Sequence, residues 1–290
     1  MNLPKIFHEL QDTGFVFKED SLSYYSSGQA GSIYTITKEG TKMLVKVYTQ
    51  NDGHNRMTAE EDGLKMLKQT NTVSIPEIYF AEKLYSGALL IMKYVESSHP
   101  HRKSMSLLGT QLAQLHLSAT KSCFGLNRHN YIGALDQCNK PYKKWSAFYF
   151  SCRLKPQIDM AISRGLLPND TISNENDWID TIDKIYPLEQ ASLIHGDLWS
   201  GNLVTDIEGL PYLIDPAVAY SHRELDIAMS KLFGGFSEDF YASYHEVYPL
   251  ADGFFERMEL SQLYYLLVHV NLFGKSYVSQ TRNLLRQYFG

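Results

Sequence analysis

The chain has 290 residues, 44% of them hydrophobic and 20% charged, with a net charge of −5. That length is enough for one large core or two modest lobes, and the balance is that of an ordinary globular chain with no basic footprint for nucleic acid. The three cysteines, Cys123, Cys138 and Cys152, are odd in number and lack CxxC spacing, which excludes a disulfide framework or a zinc site and fits a reducing compartment.

At the N-terminus Lys5, Glu9 and Asp12 interrupt any apolar run, so no signal peptide is visible and a cytoplasmic location is expected. From about Leu22 to Tyr94 the pattern favours strands around one helix. Tyr34 to Ile36 and Met43 to Tyr48 read as strands joined by a turn at Glu39-Gly40. Ala59 to Lys68 is acidic first and basic last, with Leu64 and Leu67 apolar, which predicts a helix of about three turns. Ile78 to Ala81 and Ala88 to Tyr94 are the next expected strands. Beyond Val95 helices take over: Ser106 to Leu117, a long aromatic one over Lys143 to Ile162, and an apolar core helix over Leu260 to Phe273. The most apolar run, Tyr264 to Val268, is too short to span a bilayer, so no membrane partner is expected. The expected architecture is α+β and two-lobed, with a small β-rich lobe over residues 1–94 and a larger helical lobe over 95–290.

The segment Leu193 to Pro216, LIHGDLWSGNLVTDIEGLPYLIDP, carries the chemistry. It reads as a loop, a short strand, a turn at Glu208-Gly209 and a strand ending in Asp215. Phosphoryl transfer from ATP needs a carboxylate near the acceptor hydroxyl and oxygen ligands for Mg²⁺. Asp197 stands five residues before Asn202, the spacing of base and metal ligand in kinase catalytic loops. Asp215, ending the next strand, supplies the second metal ligand, and the intervening hairpin brings both loops together. Any one of these residues alone reads as a turn former; the joint pattern points to a kinase.

The remaining parts lie upstream. Lys46, between Val45 and Val47 on a strand, can hold the ATP phosphates, and Glu60, 14 residues later, can hold Lys46. Glu61 and Asp62 are its neighbours and are expected to face solvent. Gly28 and Gly31 sit in the turn before the lysine strand, where they either admit phosphate to backbone amides or form only a hairpin turn. The backbone of Ile91 to Tyr94 is the candidate for the adenine edge.

The run HGDLWSGN followed by LIDPAVAYSHRELDIAMSKLFGGF resembles the fructosamine kinase (ketosamine-3-kinase) family, relatives of aminoglycoside phosphotransferases and choline kinases. LGTQLAQLHL, FGL, the IG of YIGALDQ, WSAFYFSCRL, FYASYHEVYPL and YYLLVHVNLFG extend the likeness over nearly the whole chain. The resemblance implies a protein-kinase-like fold and ATP-dependent phosphorylation of the sugar O3′ of ketosamines, an unstable product and so deglycation. It implies Asp197 as base, Asn202 and Asp215 as Mg²⁺ ligands, Lys46 with Glu60 as the phosphate-orienting pair, and Met92, Lys93 and Tyr94 as nucleotide hinge. It places Trp199 in the acceptor pocket, with a plain core position as the alternative, and makes His195 a loop-fixing residue. His222 to Asp226 match the family's HRExD pattern, so Asp226 is expected to accept backbone N–H bonds from the catalytic loop. Tyr220 and His222, just past Asp215, either face the acceptor or belong to a surface loop.

One departure concerns the glycine loop, where Ser27-Gly28-Gln29-Ala30-Gly31 replaces the family's adjacent glycines and contains no cysteine. Two rival functions remain beside the ketosamine reading: a kinase for another hydroxyl compound, such as an aminoglycoside or amino alcohol, and a catalytically silent nucleotide-binding protein. A protein kinase is disfavoured because Asp215-Pro216-Ala217 replaces DFG and no APE segment follows.

Overall fold

The computed structural model describes residues 4–28 and 31–290; Gln29 and Ala30, the middle of the glycine loop, lie outside the described residues. Helix α1 (Lys5–Asp12) precedes strands β1 (Lys18–Ser27), β2 (Ser32–Lys38) and β3 (Thr41–Tyr48). Helix α2 (Gly53–Gln69) then leads to β4 (Ile78–Leu84) and β5 (Gly87–Lys93). The five strands pair antiparallel in the order β1-β2-β3-β5-β4. Glu39 and Gly40 both take positive φ, 50° and 78°, as a two-residue hairpin turn between twisted strands requires.

Alternation along β3 separates the two faces of this sheet. Met43, Val45 and Val47 pack with Ile6, Phe7 and Leu10 of α1. Leu44, Lys46 and Tyr48 point the other way, toward α2, so the strand lysine is aimed at the cleft by register alone. Helix α2 begins six residues before the expected Ala59. Its first turns carry polar residues facing the cleft and only one buried apolar side chain, Met57, so they lack the amphipathic signal.

After β5 come β6 (Ser97–Ser98), α3 (Arg102–Ser118), β7 (Thr120–Lys121) and the hairpin of β8 (Asn130–Ile132) with β9 (Leu135–Gln137). The helix expected over Lys143 to Ile162 runs without a break from Trp145 to Ser163, as α4 (Trp145–Tyr149), a π-helical turn (Phe150–Leu154) and α5 (Lys155–Ser163). Pro156 lies in the first turn of α5, and its missing N–H removes a regular helical bond where the backbone widens. Helix α6 (Glu175–Ile185) and strand β10 (Ala191–Ile194) follow. Next come β11 (Leu203–Asp206), β12 (Pro211–Leu213) and β13 (Ala219–Ser221), then α7 (Glu224–Leu232), α8 (Glu238–Val247), α9 (Phe254–Phe273) and α10 (Val278–Phe289).

Helix α9 is buried on nearly every face, and α5, α6, α7 and α10 gather around it in the main helical core. A second cluster runs through both halves of the molecule, joining Met57, Leu64 and Leu67 of α2 to Leu108 and Leu112 of α3 and Phe240 of α8. Among the described residues no helix is long and apolar enough to cross a membrane. Cys138 and Cys152 are free thiols whose Sγ atoms approach to 2.9 Å, and burial pushes the Cys152 thiol up to about 12.

The helical half contains a fully buried ion pair. Arg257 meets Glu224 through Nε at 2.8 Å and Nη2 at 2.5 Å, and donates also to the carbonyls of Asp252 and Ala251. Replacing Glu224 with Gln strands a guanidinium in the core, so Glu224→Gln is expected to destabilise the fold by about 3–5 kcal/mol in chemical denaturation. The double replacement Glu224→Leu/Arg257→Met should cost less than that single change.

Candidate active site

The loop between β10 and β11 is pinned from below. Asp226, fully buried at the start of α7, accepts the N–H of His195 at 2.7 Å and that of Gly196 at 2.8 Å. His116 lies 3.3 Å from the same carboxylate and is itself held by Tyr244. Gly196 has φ +85°, and a Cβ there would stand 2.1 Å from the Ala217 carbonyl oxygen, so only glycine fits this turn. Its own carbonyl accepts the Tyr265 hydroxyl of α9 at 3.0 Å.

His195 is buried beneath the loop. Its Nδ1 accepts the Asp197 N–H at 3.3 Å, which leaves Nε2 to donate to the Ile214 carbonyl at 2.9 Å. These bonds define a neutral tautomer, and burial lowers its pKa in the same direction, against the pull of Asp226. The imidazole therefore ties the catalytic loop to the strand end that carries Asp215, a tie repeated by Ala217 N–H to His195 C=O at 2.9 Å.

Asp197, Asn202 and Asp215 converge. The Asn202 amide nitrogen donates to the Asp197 backbone carbonyl at 2.9 Å, to its carboxylate at 3.1 Å and to the Asp215 carbonyl at 3.4 Å. Burial pushes the Asp197 carboxyl up to about 7, with Asn202 opposing and Asp215 and Asp226 adding to the rise. Asp215 takes φ +54°, which turns its side chain toward Lys46. Lys46 binds Glu60 at 2.5 Å and also pairs with Asp215, so one ammonium joins strand β3, helix α2 and the Asp215 loop. Burial alone would lower this lysine, but the two carboxylates outweigh it and hold it well above its ordinary value. Burial raises the Glu60 carboxyl, against the attraction of Lys46, and the Tyr48 hydroxyl also binds that carboxylate. Glu61 instead pairs with Lys65, and Asp62 with Arg128.

Lys46, Tyr48, Glu60, Asp197, Asn202 and Asp215 line one cavity of about 750 Å³. Gly28 and Gly31 close one end of it. A Cβ at Gly31 would fall 2.0 Å from the Val47 carbonyl oxygen, whereas Gly28 has open space around it. Trp199 also lines it, 41% exposed with its ring laid over Gly201, so it is not a core residue. Beyond it Phe233, His269, Phe273 and Tyr277 form a contiguous wall, with ring centroids 4.6 Å apart for Phe233–His269 and 5.2 Å for His269–Phe273. Helix α9 thus has two roles. Its middle is core, as its apolar run predicts, while its last turns reach the cleft. The interruption of that run by His269 was the available signal.

Tyr220 and His222 do not face the cavity, which corrects that expectation. Strand β13 pairs antiparallel with β10 (Leu193 with Tyr220, Ile194 with Ala219) and so carries the chain away beneath the loop. Tyr220 lies under Lys121, whose ammonium is 4.3 Å from the ring centre. His222 is fully buried, 5.6 Å from Trp145 and 5.0 Å from Tyr186, and burial lowers its pKa. Met92, Lys93 and Tyr94 do not line this cavity either. Met92 is 2% exposed in the core, the Lys93 N–H donates to the Glu77 carbonyl at 2.7 Å, and Tyr94 stacks under Lys42 at 4.0 Å.

The donor set suits a hard, oxygen-seeking cation. The Asn202 amide nitrogen bonds the Asp197 carboxylate and the backbone carbonyl of Asp215, whose own carboxylate pairs with Lys46, so Asp197, Asn202 and Asp215 bring their oxygens to one place. Among the described residues no cluster of three or more His, Cys, Asp or Glu side chains could hold a metal. Few protein ligands and room for phosphate oxygens are what Mg²⁺ accepts, and what Zn²⁺ does not.

The fructosamine kinase family profile matches residues 5–290. A probable ketoamine kinase of Enterococcus faecium is 36% identical over 266 residues, covering 90% of this chain and 92% of the relative. The chloroplastic protein-ribulosamine 3-kinase of Oryza sativa subsp. indica is 34% identical over 243 residues, covering 81% of this chain and 69% of its own. A solved candidate fructosamine-3-kinase from Haemophilus somnus superposes with a TM-score of 0.86 at 26% identity, over 97% of this chain and 95% of that one. An aminoglycoside phosphotransferase structure shares the protein-kinase-like fold, with a TM-score of 0.62 at 13% identity over 98% of both chains. With the family profile matched along nearly its whole length, the chain belongs to the fructosamine kinase family, phosphotransferases that act on a hydroxyl group.

Proposed function

We propose that this chain transfers the γ-phosphoryl group of ATP to the sugar O3′ of a ketosamine. The observation that carries the reading is one cavity lined by the Lys46–Glu60 pair, Asp215, Asp197 and an aromatic wall. Relatives named as ketoamine and ribulosamine kinases support the same acceptor class.

In this reading Asp197 accepts the proton of the acceptor hydroxyl as the new P–O bond forms and the bond to ADP breaks. Its raised pKa fits a base that must take up a proton in the transition state. Lys46, steadied by Glu60, orients the phosphates, and backbone amides near Gly28 and Gly31 approach them. Asn202 and Asp215 would hold Mg²⁺, which when bound neutralises charge on the transferring group. Met92, Lys93 and Tyr94 lie off this cavity and take no part in this reading, in which residues 1–94 serve the nucleotide and 95–290 the acceptor. His195 and Asp226 keep Asp197 in place.

Trp199 packs against the sugar, with Phe233 and Phe273 continuing the apolar surface. Among the described residues that line the cavity the carboxylates are Glu60 and Asp215, both paired with Lys46, and Asp197, which favours a ketosamine over a polycationic aminoglycoside. Trp199→Ala is expected to raise the acceptor KM about tenfold while leaving the ATP KM unchanged. ATP turnover with fructosyl-lysine and ribulosyl-lysine, measured side by side with an aminoglycoside panel, tests the proposal. Turnover with a ketosamine supports it, and turnover with an aminoglycoside alone would overturn it.

A further inference from the structure

Lys46 draws its two carboxylate partners from different parts of the molecule, Glu60 from α2 and Asp215 from the helical lobe. A third element touches both. Arg56 lies one turn before Glu60, on the same face of α2. Its Nε binds Asp52 at 2.7 Å, while Nη2 and Nη1 donate to the carbonyls of Ala134 and Gly133 at 3.1 and 3.4 Å. Its guanidinium also sits 4.2 Å over the Tyr131 ring. The contacts with Gly133, Ala134 and Tyr131 all lie on the β8–β9 hairpin of the helical lobe. Arg128, just before the hairpin, donates to the Thr58 carbonyl of α2 at 3.3 Å and pairs with Asp62.

The base of the same hairpin grips the segment after Asp215. Asn130 donates to the Val218 carbonyl at 2.9 Å, and Gln137 to the Ala217 carbonyl at 3.1 Å. Both amides are buried and joined to each other at 2.9 Å, and Asn139 adds a bond to Asn130 at 2.6 Å. Arg153, also buried, holds Asn139 from behind at 2.9 Å. Helix α2 closes the ring, because a Cβ at Gly63 would lie only 3.1 Å from Pro216. Contacts therefore run from α2 to the hairpin, from the hairpin to Ala217 and Val218, and from Pro216 back to α2.

We propose that the β8–β9 hairpin is an interlobe clamp and that Arg56 is its positioning residue. The clamp joins the two elements that supply the partners of Lys46, and so holds the nucleotide side of the cleft assembled. Arg56 also lines the cavity, which makes direct contact with the acceptor the competing reading. Its donors are engaged by Asp52, Gly133 and Ala134, and its side chain is 13% exposed, which favours the clamp.

The proposal rests on reading the cleft as a nucleotide site, so its test measures nucleotide binding directly. Calorimetric titration with Mg²⁺ and a non-hydrolysable ATP analogue should show Arg56→Ala weakening affinity about 5- to 20-fold, the range of a modest coupling between sites. Arg56→Lys, which keeps one donor but loses the fork, should fall between Arg56→Ala and wild type. In turnover the ATP KM should rise in parallel while the acceptor KM stays unchanged. Unaltered nucleotide affinity in folded Arg56→Ala would overturn the clamp, and so would a rise confined to the acceptor KM. If Arg56→Ala does not fold, Arg56→Gln carries the same readings. Failure of the wild-type chain to bind the analogue would overturn the nucleotide reading and the clamp with it. Binding without ketosamine turnover would overturn only the acceptor assignment.

Discussion

Replacing Asp197 with Asn is expected to lower kcat by about 10²–10⁴-fold, the usual worth of a positioned general base. Nucleotide affinity should stay close to wild type, because Lys46, Glu60 and Asp215 make none of their contacts through Asp197. The substitution is nearly isosteric, and an amide oxygen can still accept the Asn202 N–H now given to the carboxylate at 3.1 Å. What it removes is the ability to take up the acceptor proton. Steady-state kinetics beside titration with a non-hydrolysable ATP analogue separates the two effects. A variant that keeps its kcat would show that another group serves as base.

Asp226→Asn is expected to reduce both stability and turnover, although Asp226 touches no reactant. Its two oxygens accept the N–H groups of His195 and Gly196 in a fully buried site. An amide offers one oxygen in their place and turns an N–H toward the other donor. One buried N–H then loses its partner, which costs about 1–3 kcal/mol in chemical denaturation. The loop whose turn depends on Gly196 relaxes with it, so kcat should fall about 100-fold as Asp197 loses its fixed position. Because Asp226 lies outside the cavity, acceptor and ATP KM values should move much less than kcat. A variant with lowered stability and full kcat would mean that the bonds support the fold alone.

The convergence of Asp197, Asn202 and Asp215 was legible in the sequence because their geometry is local. Asp197, Asn202 and Asp215 lie within one hairpin, so chain spacing nearly determines their distances. Lys46 and Glu60 were legible for a related reason: a strand register and a helix turn fix which way each points. The aromatic wall was not legible, because Phe233, His269 and Tyr277 come from separate elements and meet only through packing around α9. Tyr220 and His222 misled for the opposite reason. They follow Asp215 closely in sequence, but pairing of β13 with β10 turns the chain beneath the loop within a few residues. The helix expected over Lys143 to Ile162 was legible from its apolar periodicity, but the π-helical turn just before Pro156 was not. The Arg56 clamp left no sequence signal at all, since a polar residue on the first turns of a helix ordinarily reads as a solvated one.

The most direct test of the account is to let the chain react with ATP, Mg²⁺ and fructosyl-lysine and to locate the phosphate by ³¹P and ¹³C NMR. The expected product carries phosphate on the sugar O3′, forms with wild type and does not form with Asp197→Asn. Phosphate on another hydroxyl, or ATP turnover that ignores every ketosamine offered, would contradict it.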